Sequence, residues 1–338
     1  MKLVILDGYT ENPGDLSWDG LRELAEVTVY DRTSLTDPAQ TIARIADAEI
    51  VLTNKTPLPR AVFEACPNIK MVGVLATGYN VVDIACARER GIPVCNVPAY
   101  GTASVSQYTI ALLLEACHHI GHHSDAVHAG RWASCPDWCF WDYPLIELEH
   151  KTIGIIGFGR IGQRVGEIAR VFGMKVVAYD PYLPAEIFTK NEATSMSIAE
   201  VCEVADFVTI HMPLNDETRN LFNATSIAEM KSDAVVLNMA RGGIVNEKDM
   251  YEALKAGKIG GYATDVLENE VAGDGLTEDS RFYSPLFDLD NFVVSPHIGA
   301  QTVDASRDIG QHIIAKVKDA VHVPVLGNGD IHTAEDAV

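Results

Sequence analysis

Short aliphatic, β-branched runs alternate with stretches of helical periodicity along the first hundred residues: KLVILD, WDGLRELAEV, VTVYD, PAQTIARIADA, EIVLTN, RAVFEAC, KMVGVLA, VVDIACARERG and IPVCNV. Strand and helix in regular turn build a parallel sheet with helices on both faces, because each parallel connection has to cross over the sheet. A long helical stretch, TASVSQYTIALLLEACHHIGHHSDAVHAG, and an aromatic, proline-punctuated loop, CPDWCFWDYPL, come next. The alternation then restarts at KTIGIIGFG. Two such series in 338 residues, 47% of them hydrophobic, predict two α/β domains with a cleft between them.

Charge removes several classes of partner. With 26 Lys+Arg against 47 Asp+Glu the net charge is -21, which repels nucleic acid and acidic membrane surfaces. An anionic substrate therefore has to be held by local donors. No apolar run approaches the roughly 18 residues of a membrane span, and MKLVILDGYT begins directly with a strand-like segment, so a cytoplasmic protein is expected. The seven cysteines are odd in number, scattered and set among apolar neighbours, as reduced, packed thiols are.

In KTIGIIGFGRIG a strand runs straight into Gly157-x-Gly159-x-x-Gly162 and then a helix. The first glycine permits the tight turn, the second lets the backbone approach a pyrophosphate, and the third lets helix and strand pack closely. The next strand, MKVVAYD, ends at Asp180, eighteen residues beyond Gly162. A carboxylate there accepts from both ribose hydroxyls and repels a 2′-phosphate, which selects NAD over NADP. Without the glycines Asp180 would read as a turn cap before Pro181. FAD is the alternative dinucleotide, but its proteins usually carry the fingerprint at the N-terminus.

Ligands of open α/β sheets bind outside the carboxyl ends of the strands. Three later strands place a functional residue there: Arg241 in NMARGG, Glu270 in DVLENE and His297 in SPHIG. Each alone has a bland reading, as a salt-bridging arginine, a surface glutamate or a turn histidine. Together, downstream of a dinucleotide fingerprint, they supply what reversible reduction of a 2-keto acid needs. Arg241 holds the carboxylate and polarises the keto oxygen, His297 exchanges the proton, and Glu270 orients the imidazole and favours its protonated form.

At this point the sequence resembles the D-isomer-specific 2-hydroxyacid dehydrogenase family over nearly its whole length. GVLATGYNVVD, NVPAYGTASVSQ, IGIIGFGRIGQ, HMPLNDETRNLF, VVLNMARGGIVNE, ATDVLENE and VVSPHIGAQT fall in family order. The resemblance implies a catalytic set of Arg241, Glu270 and His297, and a cofactor set of Gly157, Phe158, Gly159, Arg160, Ile161, Gly162, Asp180, His211 and Asp265. It implies a discontinuous, flavodoxin-like substrate domain of residues 1–99 and 297–338, and a Rossmann NAD domain of residues 100–296. It also places the backbone N–H groups of Ala76, Thr77 and Gly78 against the substrate carboxylate, an anion nest in a turn of small residues. LATGYNVVD and DWCFWDYPLIEL resemble most closely the family's NADH-dependent glycerate dehydrogenases. Reduction of hydroxypyruvate to D-glycerate by a homodimer is expected, with glyoxylate as a side substrate.

Two departures are visible. Asn269 and Val271 flank Glu270 where many relatives have prolines, and Asn246 replaces a commoner aspartate. Rivals on the same scaffold are a phosphoglycerate dehydrogenase, for which Lys55 and Arg60 are the nearby phosphate candidates, a formate dehydrogenase, disfavoured by Glu270 where glutamine is typical, and an NAD(H)-sensing co-repressor. The aromatic cluster Trp138, Phe140, Trp141 and Tyr143 reads as interface packing or as a tryptophan lining a substrate pocket. His118, His119, His122 and His123 have a spacing that can bind metal on one helix, yet no further ligand is forced into place, so a polar face is expected and no metal.

Overall fold

The computed structural model describes residues 1–268, 270 and 283–322. The polar end GNGDIHTAEDAV and the positions Asn269 and Val271 lie outside the described residues. The chain forms two compact units, one of Met1–Gly101 with the described residues from 301 on, the other of the described residues in 102–270 and 283–300.

Among the described residues of the first unit, β1 (Lys2–Ile5), β2 (Glu26–Val29), β3 (Ile50–Thr53), β4 (Met71–Val74) and β5 (Val94–Cys95) form one sheet in the order β2-β1-β3-β4-β5. In the second unit β6 (Thr152–Ile156), β7 (Lys175–Tyr179), β8 (Thr194–Ser195), β9 (Phe207–Ile210), β10 (Val235–Asn238), β11 (Gly261–Thr264) and β12 (Phe292–Val294) are ordered β12-β11-β10-β9-β6-β7-β8. Every pairing in both sheets is parallel. The chain is thus an α/β protein of two doubly wound sheets, as the alternation predicts.

Successive strand residues feed opposite layers, which is why the central strands are mostly apolar while the edge strands β2 and β8 are not. In the second sheet Ile153, Ile155, Val235 and Leu237 face one core, while Ile156, Val208, Ile210 and Val236 face the other. The helix Thr102–His118 joins the first of these layers through Ile110, Leu112, Leu113 and Cys117. In the first sheet Val4, Val51, Val72 and Val74 line one layer and Leu3, Ile5, Ile50 and Leu52 the other. That second layer is closed by Ile309, Ile313 and Val317 of the helix Val303–His322, so the chain returns to its first sheet. Each such side chain contributes about 1.5–3 kcal/mol by leaving water. Among the described residues no helix is long and apolar enough to cross a membrane.

The stretch expected as one long helix after residue 102 is two, Thr102–His118 and Ile120–His128. His119 sits between them in the left-handed region, with φ 47°. The Glu115 carboxylate caps the new start, accepting from Gly121 N at 3.1 Å. Because of the break, the histidines bind the aromatic loop: His119 stacks on Tyr143 at 4.2 Å, and His122 Nε2 lies 2.6 Å from Asp142. Among the described residues no group of three or more His, Cys, Asp or Glu side chains is placed to hold a metal ion.

At the carboxyl ends of β1 and β3 the first unit buries two acids. Asp7 accepts from the backbone N–H of Asn54 at 2.8 Å, Lys55 at 2.6 Å and Thr56 at 2.7 Å, fastening the turn after β3 to the end of β1. Glu11 Oε1 accepts from Asn54 Nδ2 at 2.6 Å. Burial pushes Glu11 up to about 7; the Lys55 charge opposes that rise and Asp7 adds to it. A carboxyl raised on folding lets the folded chain hold a proton that the unfolded chain releases, so stability falls as pH rises from about 4.5 to 7 and the loss is complete above that. Glu11→Gln should therefore stabilise the protein at pH 8 by on the order of 2–3 kcal/mol in denaturant titrations, with the gain shrinking toward pH 5. A gain independent of pH would contradict this assignment.

Candidate active site

The second sheet delivers its polar residues at the carboxyl ends of β6, β7, β9, β10, β11 and β12. β6 ends at Ile156 and the chain turns at Gly157, whose φ of +93° suits glycine. A Cβ there would lie 2.8 Å from the backbone carbon of His211, so the glycine also lets the ends of β6 and β9 meet. On Gly162 a Cβ would come within 2.3 Å of the Gly157 carbonyl oxygen, which the helix Arg160–Val171 crosses closely. Gly159 differs: a Cβ there would meet no protein atom within 4 Å, so no neighbour in the fold requires a glycine.

Asp180 follows β7 and performs two tasks. Its Oδ2 accepts from Phe158 N at 2.9 Å, and its Oδ1 accepts from Tyr182 N at 3.0 Å, so it caps its own turn and fixes the glycine loop. Phe158 is fully buried and stacks on Phe188, which leaves only its backbone to the loop, whereas Arg160 is exposed and Ile161 half-buried. After β9, His211 Nε2 pairs with Thr209 Oγ1 at 2.9 Å, and Nδ1 is enclosed with no partner among the described residues. Burial lowers His211 to about 3, so it is neutral at physiological pH.

Arg241 stands three residues beyond β10. Its Nη1 donates to the Ala240 carbonyl at 2.7 Å, and among the described residues its guanidinium forms no ion pair. Asn238 Nδ2 donates to the Arg241 carbonyl at 2.8 Å and holds this loop's backbone. Gly242 then passes so close to the loop after β11 that a Cβ would lie 2.1 Å from the Leu267 carbonyl carbon and 2.3 Å from Glu268 N. The arginine loop and the glutamate loop therefore rest directly on one another.

The structure brings Glu270 and His297 together. His297 Nδ1 lies 2.6 Å from Glu270 Oε1, and Glu270 Oε2 accepts from Leu267 N at 3.0 Å. A contact that short to a carboxylate places a proton on Nδ1 and leaves Nε2 to exchange one. His297 has φ +56°, a region unusual for a side chain with a Cβ. Asp265, nearly fully buried just past β11, holds it there. Its Oδ1 accepts from Ser295 Oγ at 2.6 Å and Ile298 N at 2.9 Å, and its Oδ2 accepts from Gly299 N at 2.7 Å. This clamp was not visible in the sequence, because its donors lie 30 to 34 residues away.

In the first unit, Ala76, Thr77 and Gly78 form the turn after β4. The Ala76 carbonyl accepts from Val97 N at 3.1 Å, Thr77 Oγ1 donates to the Val97 carbonyl at 3.0 Å, and the Thr77 carbonyl accepts from Asn96 Nδ2 at 2.7 Å. Their three N–H groups donate to no acceptor among the described residues. Arg60, one of two phosphate candidates, is bound in a fork by Glu89 at 2.8 and 3.1 Å.

A family model described as "D-isomer specific 2-hydroxyacid dehydrogenase, NAD binding domain" matches residues 110–299. A hydroxypyruvate reductase of Blautia hydrogenotrophica is 53% identical over 88% of this chain and 90% of its own length. The chain belongs to the D-isomer specific 2-hydroxyacid dehydrogenase family. It is accordingly an oxidoreductase with an NAD(P)-binding domain. Another family relative, a D-3-phosphoglycerate dehydrogenase of Methanocaldococcus jannaschii, is 37% identical over 97% of this chain, which spans 59% of that protein. Among solved structures, the D-lactate dehydrogenase of Aquifex aeolicus, complexed with NAD and lactic acid, superposes with a TM-score of 0.81 at 25% identity, covering 95% of each chain.

The contact between the two loops requires that position 242 stay free of a side chain. Gly242→Ala should force the arginine and glutamate loops apart and lower turnover at least about tenfold. Cofactor binding, measured by fluorescence, should change little. Wild-type turnover in this variant would show that the loop contact does not set the site.

Proposed function

We propose that the protein reduces hydroxypyruvate to D-glycerate with NADH, with glyoxylate to glycolate as a side activity. The reading rests above all on the His297–Glu270 pair, held at 2.6 Å at the strand ends of an NAD(P)-binding domain. The similarity to a hydroxypyruvate reductase at 53% identity supports the choice of substrate.

The residues of the glycine loop fit a dinucleotide. Gly159 is open where no protein atom requires it, at the N-terminus of the helix Arg160–Val171, where backbone donors and the helix dipole favour a pyrophosphate. Each Asp180 oxygen already accepts one N–H and retains capacity for a ribose hydroxyl, while its charge disfavours a 2′-phosphate. NADH, when bound, supplies the hydride. His211 and Asp265 are assigned to the nicotinamide side of the site, with Phe158, Arg160 and Ile161 contributing through the loop.

Arg241, free of any ion pair among the described residues, is assigned to the substrate carboxylate and keto oxygen. The N–H groups of Ala76, Thr77 and Gly78 are assigned to a substrate carboxylate, which makes the first unit, residues 1–101 with the described residues from 301 on, the substrate domain and the second unit, which holds His297, the cofactor domain. His297 donates its Nε2 proton to the oxygen as the carbonyl is reduced and takes it back in the reverse direction. Glu270, bonded to Nδ1, orients the ring and stabilises the imidazolium. A phosphorylated substrate is less well served, since Arg60 is occupied by Glu89. We assign a homodimer as the working form, its contact the exposed aromatic arm that carries Trp132, Trp138 and Trp141.

Following NADH oxidation with hydroxypyruvate, glyoxylate, pyruvate and 3-phosphohydroxypyruvate tests the reading. Hydroxypyruvate should be preferred, NADH should outperform NADPH, and His297→Ala should lose on the order of 10²–10⁴-fold in kcat while still binding NADH. Tight NADH binding without reduction of any keto acid would replace the enzyme reading with that of an NAD(H) sensor.

A further inference from the structure

Glu247 opens the helix Glu247–Lys255, which Asn246 caps by accepting from Asp249 N at 3.0 Å. Its Oε1 accepts a hydrogen bond from Glu268 N at 2.5 Å, across 21 residues of sequence. Glu268 stands two residues before Glu270, past the last buried residue of the loop, Leu267. The Leu267 N–H is already given to Glu270 Oε2, and Glu270 Oε1 meets His297. Glu247 is therefore the point at which a helix start grips the segment that carries the histidine's carboxylate partner.

The choice of residue is unfavourable by itself. Glu247 is half-buried, and its carboxyl is raised by burial, offset by the bond from Glu268 N, and raised further by the Glu268 and Glu270 charges. The titratable groups facing it are those two glutamates and the buried Tyr262 hydroxyl, which is itself raised, chiefly by burial. A carboxylate held among like charges is retained where its hydrogen bond does something a solvated side chain would not.

We propose that Glu247 is a positioning residue, whose carboxylate holds the Leu267–Glu270 segment so that Glu270 stays on His297 Nδ1. It acts through the backbone N–H of Glu268. The inference rests on the His297–Glu270 pair acting as the proposed function requires.

The test uses full-length protein with Glu247→Ala and Glu247→Gln. The amide oxygen of glutamine can still accept from Glu268 N, whereas alanine cannot. Glu247→Ala should lower kcat for hydroxypyruvate at least about tenfold with KM changed less than about twofold, and move the high-pH limb of the rate profile to lower pH; Glu247→Gln should stay within about threefold of wild type. Proton NMR gives a readout independent of turnover. The downfield Nδ1–H signal of His297, identified by its loss in His297→Asn, should weaken in Glu247→Ala and persist in Glu247→Gln.

Wild-type kcat and an unshifted profile in Glu247→Ala would overturn the proposal. So would equal losses in both variants with an unchanged NMR signal. If Glu247→Ala does not fold, Glu247→Gln decides alone: near-wild-type turnover with the signal retained supports the role, and a tenfold loss overturns it. If wild type reduces no keto acid, the functional reading fails, and the NMR comparison still decides whether Glu247 holds the pair.

Discussion

Asp265 ends a buried strand as an acceptor for three donors from a loop some thirty residues away. Charge-assisted bonds of this kind are roughly twice as strong as neutral ones, and an acid this deeply buried needs them. Without the clamp, nothing on the short strand β12 would hold a histidine at φ +56°. With it, the strained residue is over-determined, and its ring is aimed at Glu270. The His297–Glu270 pair is thus a consequence of a backbone clamp rather than a contact between two free side chains.

The parallel sheet makes that clamp possible. β10, β11 and β12 are adjacent and in register, so the loops after them leave from the same edge and must pack on one another. Gly242 lets the first two loops touch, Asp265 ties the second to the third, and Glu247 grips the second from a helix start. Arginine, glutamate and histidine come from separate loops, yet each loop is held by another. Rigid elements beneath and mutual support above are what a reaction sensitive to small displacements of its groups needs.

What could be read from the sequence was whatever is local. Gly157, Gly159, Gly162 and Asp180 form one strand-turn-helix-strand unit, in which Gly157 is set by its φ and Gly162 by neighbours a few residues away, while Gly159 meets no protein atom. The sheets were legible because parallel strands buried on both faces are apolar at most positions, as VVLN and FVTI are apart from Asn238 and Thr209. Asp265 was visible as a polar residue at a strand end but not as a clamp, since its donors are fixed only by tertiary packing. His119 shows the converse: helical periodicity continues through it, and only the Glu115 carboxylate capping Gly121 reveals where one helix ends. Arg60 looked available for a phosphate until its partner Glu89, 29 residues on, was in view.

A protein of net charge -21 that handles an anion has to localise its attraction. At ordinary ionic strength charges are screened beyond about 8–10 Å, so the distant surface neither draws in nor expels a small carboxylate strongly, and donors at contact distance decide. Arg241 has no acidic partner among the described residues, although acids outnumber basic residues 47 to 26 in the chain. In the first unit the turn at Ala76–Gly78 has the Ala76 and Thr77 carbonyls and the Thr77 hydroxyl engaged by residues 96 and 97, and its N–H groups meet no acceptor among the described residues. The same economy governs the acids. Asp265, Asp180 and Glu247 each spend their charge on backbone N–H groups, whereas Glu270 divides its two oxygens between a backbone N–H and the histidine. At the strand ends of the second sheet the carboxylates thus have their negative charge answered by donors, and Arg241 is a cation that no acid among the described residues answers.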